Sequence, residues 1–135
     1  RRGFTLMEVL LVMAILVILG SMVGFGVIKM KRNADEDAAR VQISLFEQLL
    51  TAYRLDVGSY PNSNQGLEAL ISQPSDVANP AKWRGPYTDK MIPADPWGQP
   101  YQYELVNADQ FRIYSFGADM INGSEDDISN IVQQQ

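Results

Sequence analysis

The chain begins Arg1-Arg2-Gly3-Phe4-Thr5-Leu6-Met7-Glu8-Val9-Leu10, and its apolar run continues without another charge to Ile28. In a helix that rises about 1.5 Å per residue, about 20 apolar residues span the roughly 30 Å hydrocarbon core of a bilayer. The run from Val9 to Ile28 therefore predicts a transmembrane helix, with Glu8 at or just inside one membrane face. An acidic side chain in a membrane segment is costly and indicates a partner or a function.

The residues Gly3-Phe4-Thr5-Leu6-Met7-Glu8 resemble the processing signal of type IV pilins and the related pseudopilins. The resemblance implies that a prepilin peptidase cleaves between Gly3 and Phe4 and methylates the new amino terminus, so that residues 1–3 are a leader remnant. In an apolar medium the carboxylate of Glu8 could compensate the ammonium group of a neighbouring subunit's Phe4, which assigns Glu8 to assembly. A simple signal anchor with Glu8 among the lipid headgroups is the alternative.

Three glycines, Gly20, Gly24 and Gly26, lie near the end of the apolar run. Each glycine in a helix interior costs about 1 kcal/mol relative to alanine, so we expect the helix to loosen or unwind there. Positive charges flank the run on both sides and do not fix its orientation. The pilin resemblance implies a cytoplasmic amino terminus, and therefore a single-pass protein of the bacterial inner membrane whose C-terminal part lies in the periplasm.

Composition predicts one globular domain after the membrane segment, residues 29–135, and restricts its chemistry. The net charge of −5 argues against a nucleic acid partner, because phosphate contacts need clustered Lys and Arg. Neither Cys nor His occurs, so a bound metal or subunit packing would have to supply the stability that disulfides give small exported domains. The same absence leaves no common nucleophile and base, and a membrane-anchored calcium-dependent enzyme is a poor alternative to a non-enzymatic protein.

An amphipathic pattern over residues 34–56 predicts a helix, residues 29–57, that continues the membrane and assembly helix over residues 4–28. Phe46, Leu50 and Tyr53 flank the predicted apolar stripe. The stripe itself recurs at steps of three and four residues and comprises Ala38, Val41, Leu45, Leu49 and Ala52.

Turn signals follow this helix. Gly58 is the expected C-cap, and a short helix is predicted over residues 65–71 with Ser63 or Asn64 as its N-cap. The tetrapeptide Asp95-Pro96-Trp97-Gly98 has the residues of a type I turn, with proline in the second position and glycine in the fourth.

Two apolar runs after that turn predict a β-hairpin. Residues 101–105 alternate like a strand, residues 107–110 turn the chain, and residues 111–116 read as the second strand. We therefore expect an α+β fold in which a long N-terminal helix packs on a small antiparallel sheet.

Several blocks sharpen the resemblance. They are similar, in order and spacing, to the major pseudopilin family of type II secretion systems, and they are Gln65-Gly66-Leu67-Glu68-Ala69-Leu70, Asp95-Pro96-Trp97-Gly98-Gln99-Pro100-Tyr101-Gln102-Tyr103, Phe116-Gly117-Ala118-Asp119 and Asp126-Asp127-Ile128. The resemblance implies a type IV pilin-like fold and a helical homo-oligomer, a periplasmic filament that drives folded proteins through the outer-membrane secretin. It implies as partners minor pseudopilins, an inner-membrane assembly platform and the prepilin peptidase. A type IV pilin subunit of a surface pilus, used for adhesion, motility or DNA uptake, is the alternative.

The resemblance also implies a Ca²⁺ site in a C-terminal loop. Carried over by position, Asp119, Asp126 and Asp127 match the family's side-chain ligands. Ca²⁺ takes about 6 to 8 oxygen ligands, so backbone carbonyls would complete the shell. The expected carbonyls are those of Phe116, Ile121 and Gly123.

Two further charges are candidates for contacts between subunits. Glu47 lies on the predicted helix and Lys90 precedes the turn at Asp95, positions at which ion pairing between subunits is reasonable. Exposed ion pairs contribute only about 0 to 1 kcal/mol each. Solvated side chains without a partner subunit are therefore the alternative for both residues.

Overall fold

The structure is a computed structural model and describes residues 2–89 and 91–131. The chain comprises two compact units, Arg1–Ala34 and Asp35–Gln135. One helix, α1, spans Leu6–Val57 and runs through both units, as the sequence predicted. The boundary between the units lies at Ala34, whereas the sequence suggested a division after Ile28.

The described residues also contain short 3₁₀ helices and a three-stranded antiparallel sheet of order β1-β2-β3. The expected α+β, pilin-like architecture of a long N-terminal helix and a small antiparallel sheet is confirmed. The 3₁₀ helices are Gly66–Leu70 and Pro80–Lys82, and the strands are β1, Gln102–Asn107, β2, Gln110–Ser115, and β3, Ile128–Ser129.

The first unit is helical from Leu6 onward and exposes its apolar side chains. The helix is regular through Gly20, Gly24 and Gly26, so the expectation that it unwinds there is wrong for this structure. Once a helix is nucleated, each further residue adds a hydrogen bond, which offsets the cost of isolated glycines. Within the described residues this is the one helix long and apolar enough to cross a membrane, and its most apolar window has a mean hydropathy of 2.7 with no residue buried.

The second half of α1 packs on the core through a stripe shifted from the predicted one. Phe46, Leu50 and Tyr53, expected at the flank, are almost fully buried, whereas Val41 and Leu45 are 62% and 46% exposed. The buried stripe is Ala39, Ile43, Phe46, Leu50, Tyr53 and Val57. Two adjacent apolar stripes have the same helical period, and only contacts with the sheet and loops decide which one is buried.

Helix ends are defined by local hydrogen bonds. Gly58 has a φ of 97° and its N–H donates to the carbonyl of Arg54 at 2.8 Å, which confirms Gly58 as the C-cap residue. The short helix over Gly66–Leu70 is preceded by a reciprocal pair in which Asn62 and Gln65 each accept the other's backbone N–H, at 2.8 and 2.9 Å. The N-cap residue is Gln65 rather than the expected Ser63 or Asn64, and its side chain makes no capping hydrogen bond to the helix.

The predicted hairpin is confirmed as β1 and β2. Tyr103 pairs with Ile113 and Leu105 with Phe111, and the register is irregular between Leu105 and Asn107. Phe111, Ile113 and Ser115 alternate into the core, where Phe46 of α1 contacts Tyr101 with ring centroids 5.3 Å apart. The third strand was not predicted, because its two residues are too few to show an alternating pattern.

Candidate functional site

The amino-terminal site lies where α1 begins. Gly3 and Phe4 precede the helix in a segment without regular secondary structure, and the Phe4 side chain is 84% exposed. The backbone N–H of Glu8 donates to Thr5 Oγ1 at 3.2 Å, so Thr5 is the N-cap. This role of Thr5 was not predicted, although the spacing Thr-x-x-Glu is the usual signature of an N-terminal cap.

Glu8 is the one carboxylate of the apolar run, and it is exposed. On the helix face it lines an open groove of about 310 Å³, together with Phe4, Val9, Val12, Met13 and Leu16. A carboxylate flanked by apolar side chains can attract a cationic group once this surface is removed from water, because the dielectric is then low.

The C-terminal loop, Gly117–Asp127, contains the predicted metal ligands. Asp119 Oδ1 accepts a hydrogen bond from the backbone N–H of Ile121 at 2.9 Å, and Asp127 Oδ2 accepts one from that of Gly123 at 2.9 Å. The other oxygen of Asp127, Oδ1, is buried, and no hydrogen-bond partner for it lies within the described residues. Such an orphaned carboxylate oxygen requires a donor or a cation.

These side chains fit Ca²⁺ by donor chemistry, although they do not converge on one point. Within residues 2–89 and 91–131 no three Asp or Glu side chains are placed to hold one metal ion together. The acidic side chains of the loop offer oxygen ligands, which hard cations such as Ca²⁺ prefer, and Asp127 has a buried oxygen without a partner among the described residues. Hydrogen bonds link Asp127 to Gly123 and Asp119 to Ile121, whereas Asp119, Asp126 and Asp127 are not assembled into one metal-binding set.

A buried carboxylate that the sequence analysis treated only as a turn residue lies beside this loop. Asp95 is 5% exposed, and its Oδ1 accepts the backbone N–H groups of Trp97 and Gln99 at 3.1 and 2.8 Å. Its Oδ2 accepts the hydroxyl of Ser115 at 2.5 Å. The hydrogen bond from Gly98 N–H to the Asp95 carbonyl, 2.9 Å, confirms the predicted turn.

Two tyrosines, Tyr101 and Tyr103, have a raised pKa. Burial, and then the charge of Asp95, raises the pKa of Tyr101 to about 12. Burial also raises the pKa of Tyr103, whose hydroxyl donates to the carbonyl of Pro61 at 2.7 Å.

Of the two charges considered for contacts between subunits, one lies in the described part of the chain. Glu47 is half-buried, and its Oε1 accepts a hydrogen bond from Asn130 Nδ2 at 3.2 Å. Asn130 also pairs with the backbone of Phe111 and Ile113 on β2. Lys90 lies outside the described residues, as do the last four residues of the chain.

The fold and the amino terminus together define a class of protein. Residues 1–24 match the prokaryotic N-terminal methylation motif, and the matching segment includes Gly3, Phe4 and Glu8. A long apolar helix with this motif, followed by a small antiparallel sheet, is the architecture of pilin-like filament subunits.

Within that class, residues 26–134 match the family model of the type II secretion system (T2SS) protein G, so the chain belongs to this family. A type II secretion system core protein G of Aeromonas hydrophila is 40% identical over 133 residues, which cover 96% of this chain and 92% of the relative. The protein of the same name from Escherichia coli K12 is 39% identical over 133 residues, with 96% and 90% coverage.

A solved structure supports the same assignment. The crystal structure of the major pseudopilin from the type 2 secretion system of enterohaemorrhagic Escherichia coli has a TM-score of 0.66 and 35% identity to this chain, and it covers 76% of this chain and 91% of its own. The chain is therefore a structural subunit of a secretion pseudopilus, and the alternative of a surface pilin is set aside.

Proposed function

We propose that this chain polymerises through its N-terminal helix into a periplasmic filament whose growth drives folded proteins across the outer membrane. The observation that carries the proposal is the exposed apolar surface of α1, on which Leu6 and Phe25 are each 78% exposed, together with Phe4 just before the helix, which is 84% exposed. Such a surface requires lipid before assembly and neighbouring helices afterwards. The homo-oligomer is thus the state in which this surface is covered by protein.

Processing would prepare the chain to exchange its contacts with lipid for contacts with neighbouring subunits. Cleavage between Gly3 and Phe4 by a prepilin peptidase, followed by methylation, leaves an ammonium group on Phe4. A second subunit's Glu8 would compensate that group in the apolar interior of the filament, since unpaired charges there are costly. Gly3 and Phe4 are exposed and lie ahead of the capped helix, which would leave the bond between them accessible to a peptidase.

The position in the cell and the partners follow from the family. The helix would anchor the subunit once in the inner membrane, with the C-terminal domain in the periplasm. Minor pseudopilins, the inner-membrane assembly platform and the secretin channel would be its partners there. Glu47 would pair with Lys90 of an adjacent subunit only after its hydrogen bond to Asn130 is released or shared.

We include a Ca²⁺ ion in this proposal. Asp119, Asp126 and Asp127 would supply side-chain oxygens, and the carbonyls of Phe116, Ile121 and Gly123 would complete the shell. Support comes from the buried, unpartnered Oδ1 of Asp127 among the described residues. Bound Ca²⁺ would replace repulsion among the carboxylates by coordination, and so order the loop.

The function is tested by complementation with a Glu8 variant. The full chain is expressed in a type II secretion strain that lacks its own protein G, and the secreted protein and the cross-linked filament ladder are measured. Wild type should restore both. Glu8→Ala should remain in the membrane fraction and fail to form the ladder, whereas Glu8→Asp, which keeps the charge, should retain part of it. Normal ladders and secretion with Glu8→Ala would refute the assembly role of the carboxylate.

A further inference from the structure

The turn from Asp95 to Gln99 contacts the start of the C-terminal loop at two points. Asp95 Oδ2 accepts the hydroxyl of Ser115 at 2.5 Å, and the Ser115 oxygen in turn accepts the backbone N–H of Gly117 at 3.2 Å. At the second point, Gln99 Nε2 donates to the sulfur of Met120 at 3.6 Å. The first connection is shielded from water, since Asp95 and Ser115 are 5% and 0% exposed.

Gly117 transmits this connection to the far end of the loop. Its φ is 70°, and a Cβ atom at this position would lie 2.1 Å from the carbonyl oxygen of Asp126. The backbone at Gly117 therefore lies directly against that of Asp126, next to Asp127. Because these backbones are in contact, holding Gly117 in place also holds Asp126 and Asp127 in place.

We propose that Asp95 is a positioning residue for the Ca²⁺ loop, acting through Ser115 and Gly117 without binding the ion. This inference rests on the proposed Ca²⁺ site. The two carboxylate oxygens of Asp95 bind different segments. Oδ1 accepts the backbone N–H groups of Trp97 and Gln99 in the turn, and Oδ2 accepts the hydroxyl of Ser115, which precedes the loop.

The physical basis is preorganisation. A flexible loop loses conformational entropy when it closes around an ion, and this loss weakens binding. A loop whose first and last residues are already held loses less. Because hydrogen bonds to a buried carboxylate are strong, removing the Ser115 hydroxyl should weaken Ca²⁺ binding by about tenfold.

The experiment separates positioning from general stability. The full chain in detergent micelles is titrated with Ca²⁺ by calorimetry, and hydrogen exchange of residues 117–127 is followed in chelator. The test variants are Asp95→Asn and Ser115→Ala, of which Ser115→Ala leaves both bonds to Oδ1 in place. The matched control is Tyr103→Phe, which loses the hydrogen bond to Pro61 and destabilises the same domain without touching the turn or the loop.

We expect the Ca²⁺ dissociation constant to rise about tenfold in Ser115→Ala and to stay within about twofold of wild type in Tyr103→Phe. Exchange of the loop should be faster in Ser115→Ala even in chelator. An unchanged dissociation constant and unchanged loop exchange in folded Ser115→Ala overturn the inference.

Failure of the Ca²⁺ proposal would look different. If the wild-type chain releases no heat on titration with Ca²⁺, the metal site is refuted. Hydrogen exchange of residues 117–127 alone then decides whether Asp95 orders the loop. Faster exchange over residues 117–127 in Ser115→Ala, with Tyr103→Phe unchanged, keeps Asp95 as the residue that orders the loop. Equal exchange in all three proteins removes that role as well.

Discussion

Single residues at the amino terminus serve local structure and, under the proposed function, also serve processing. Thr5 caps α1 through the backbone N–H of Glu8, which leaves the Glu8 carboxylate free to face a partner. Gly3 lies two residues before the cap, and no atom lies within 4 Å of the position of a Cβ atom built on it. The folded chain thus leaves room for a side chain at position 3, and a requirement for glycine there would come from the proposed processing.

We expect Gly3→Glu to block cleavage, because a charged side chain at the scissile bond opposes entry into a membrane-embedded active site. Gly3→Ala is the control, since alanine is small and uncharged. Mass spectrometry of membrane protein from cells with prepilin peptidase should give Phe4 as the first residue in wild type and in Gly3→Ala. A mature terminus at any other residue would contradict the processing proposed here.

Among the elements, the C-terminal loop depends on two glycines with positive φ, Gly117 and Gly123. At Gly123 no atom lies near the position of an added Cβ, whereas at Gly117 the Asp126 carbonyl blocks it. Gly123→Ala should cost about 1 to 2 kcal/mol through the left-handed backbone alone. Gly117→Ala should cost at least about 3 kcal/mol, since the loop must move as well.

Urea unfolding of the two alanine variants, monitored by tryptophan fluorescence, measures this difference. The pair is matched in chemistry and in the sign of φ, and at Gly117 alone does a backbone atom block the position of an added Cβ. Equal losses of stability would show that the close approach of Gly117 to Asp126 is not maintained in solution.

We expect Tyr101, the residue before β1, to make the stability of the domain sensitive to alkaline pH. Burial raises the pKa of Tyr101 from 10.0 to about 12, so the folded state holds the proton more tightly than the unfolded state. Stability from this group is complete below pH 10 and is lost as the pH rises toward 12. Urea unfolding at several alkaline pH values should show the decline, and Tyr101→Phe should flatten it. A decline of the same slope in Tyr101→Phe would assign the effect to other groups.

For the whole molecule, Ca²⁺ should raise thermal stability. An ion bound to the folded state alone stabilises it by about 2.7 kcal/mol at a free concentration 100 times the dissociation constant. The full chain in micelles should therefore melt several degrees lower in chelator, and Asp119→Ala or Asp126→Ala should remove the difference. Asp109→Ala, in the turn between β1 and β2, is the control. Superimposed wild-type melts with Ca²⁺ and with chelator would refute the metal site.

Across the molecule, the sequence predicted the features that depend on residues close together in the chain. Gly58, the turn at Asp95 and the hairpin were all foreseen, because each depends on residues within a few positions of one another. The buried stripe of α1 was misplaced by about one residue, since its partners lie far along the chain. The bond between Asp95 and Ser115 was missed for the same reason, as 20 residues separate them in sequence.

The candidate metal site shows the same limit in another way. The ligand set Asp119, Asp126 and Asp127 came from the family resemblance, and spacing alone cannot tell an acidic binding loop from a solvated one. Chemistry in the structure adds the buried oxygen of Asp127 and the contact of Gly117 with Asp126. Apart from the presence of Gly117, no sequence pattern predicts either the burial of the Asp127 oxygen or the contact between Gly117 and Asp126.

The buried residues of the hydrophobic core begin at Ala39, so within the described residues the first unit contributes no side chain to it. A subunit can therefore leave the bilayer and enter a filament as a change of solvent for one helix surface, with lipid tails replaced by the helices of other copies. No contact among the buried core side chains has to break during that transfer. We therefore expect extraction of this one helix from lipid, rather than any unfolding of the domain, to accompany growth of the filament.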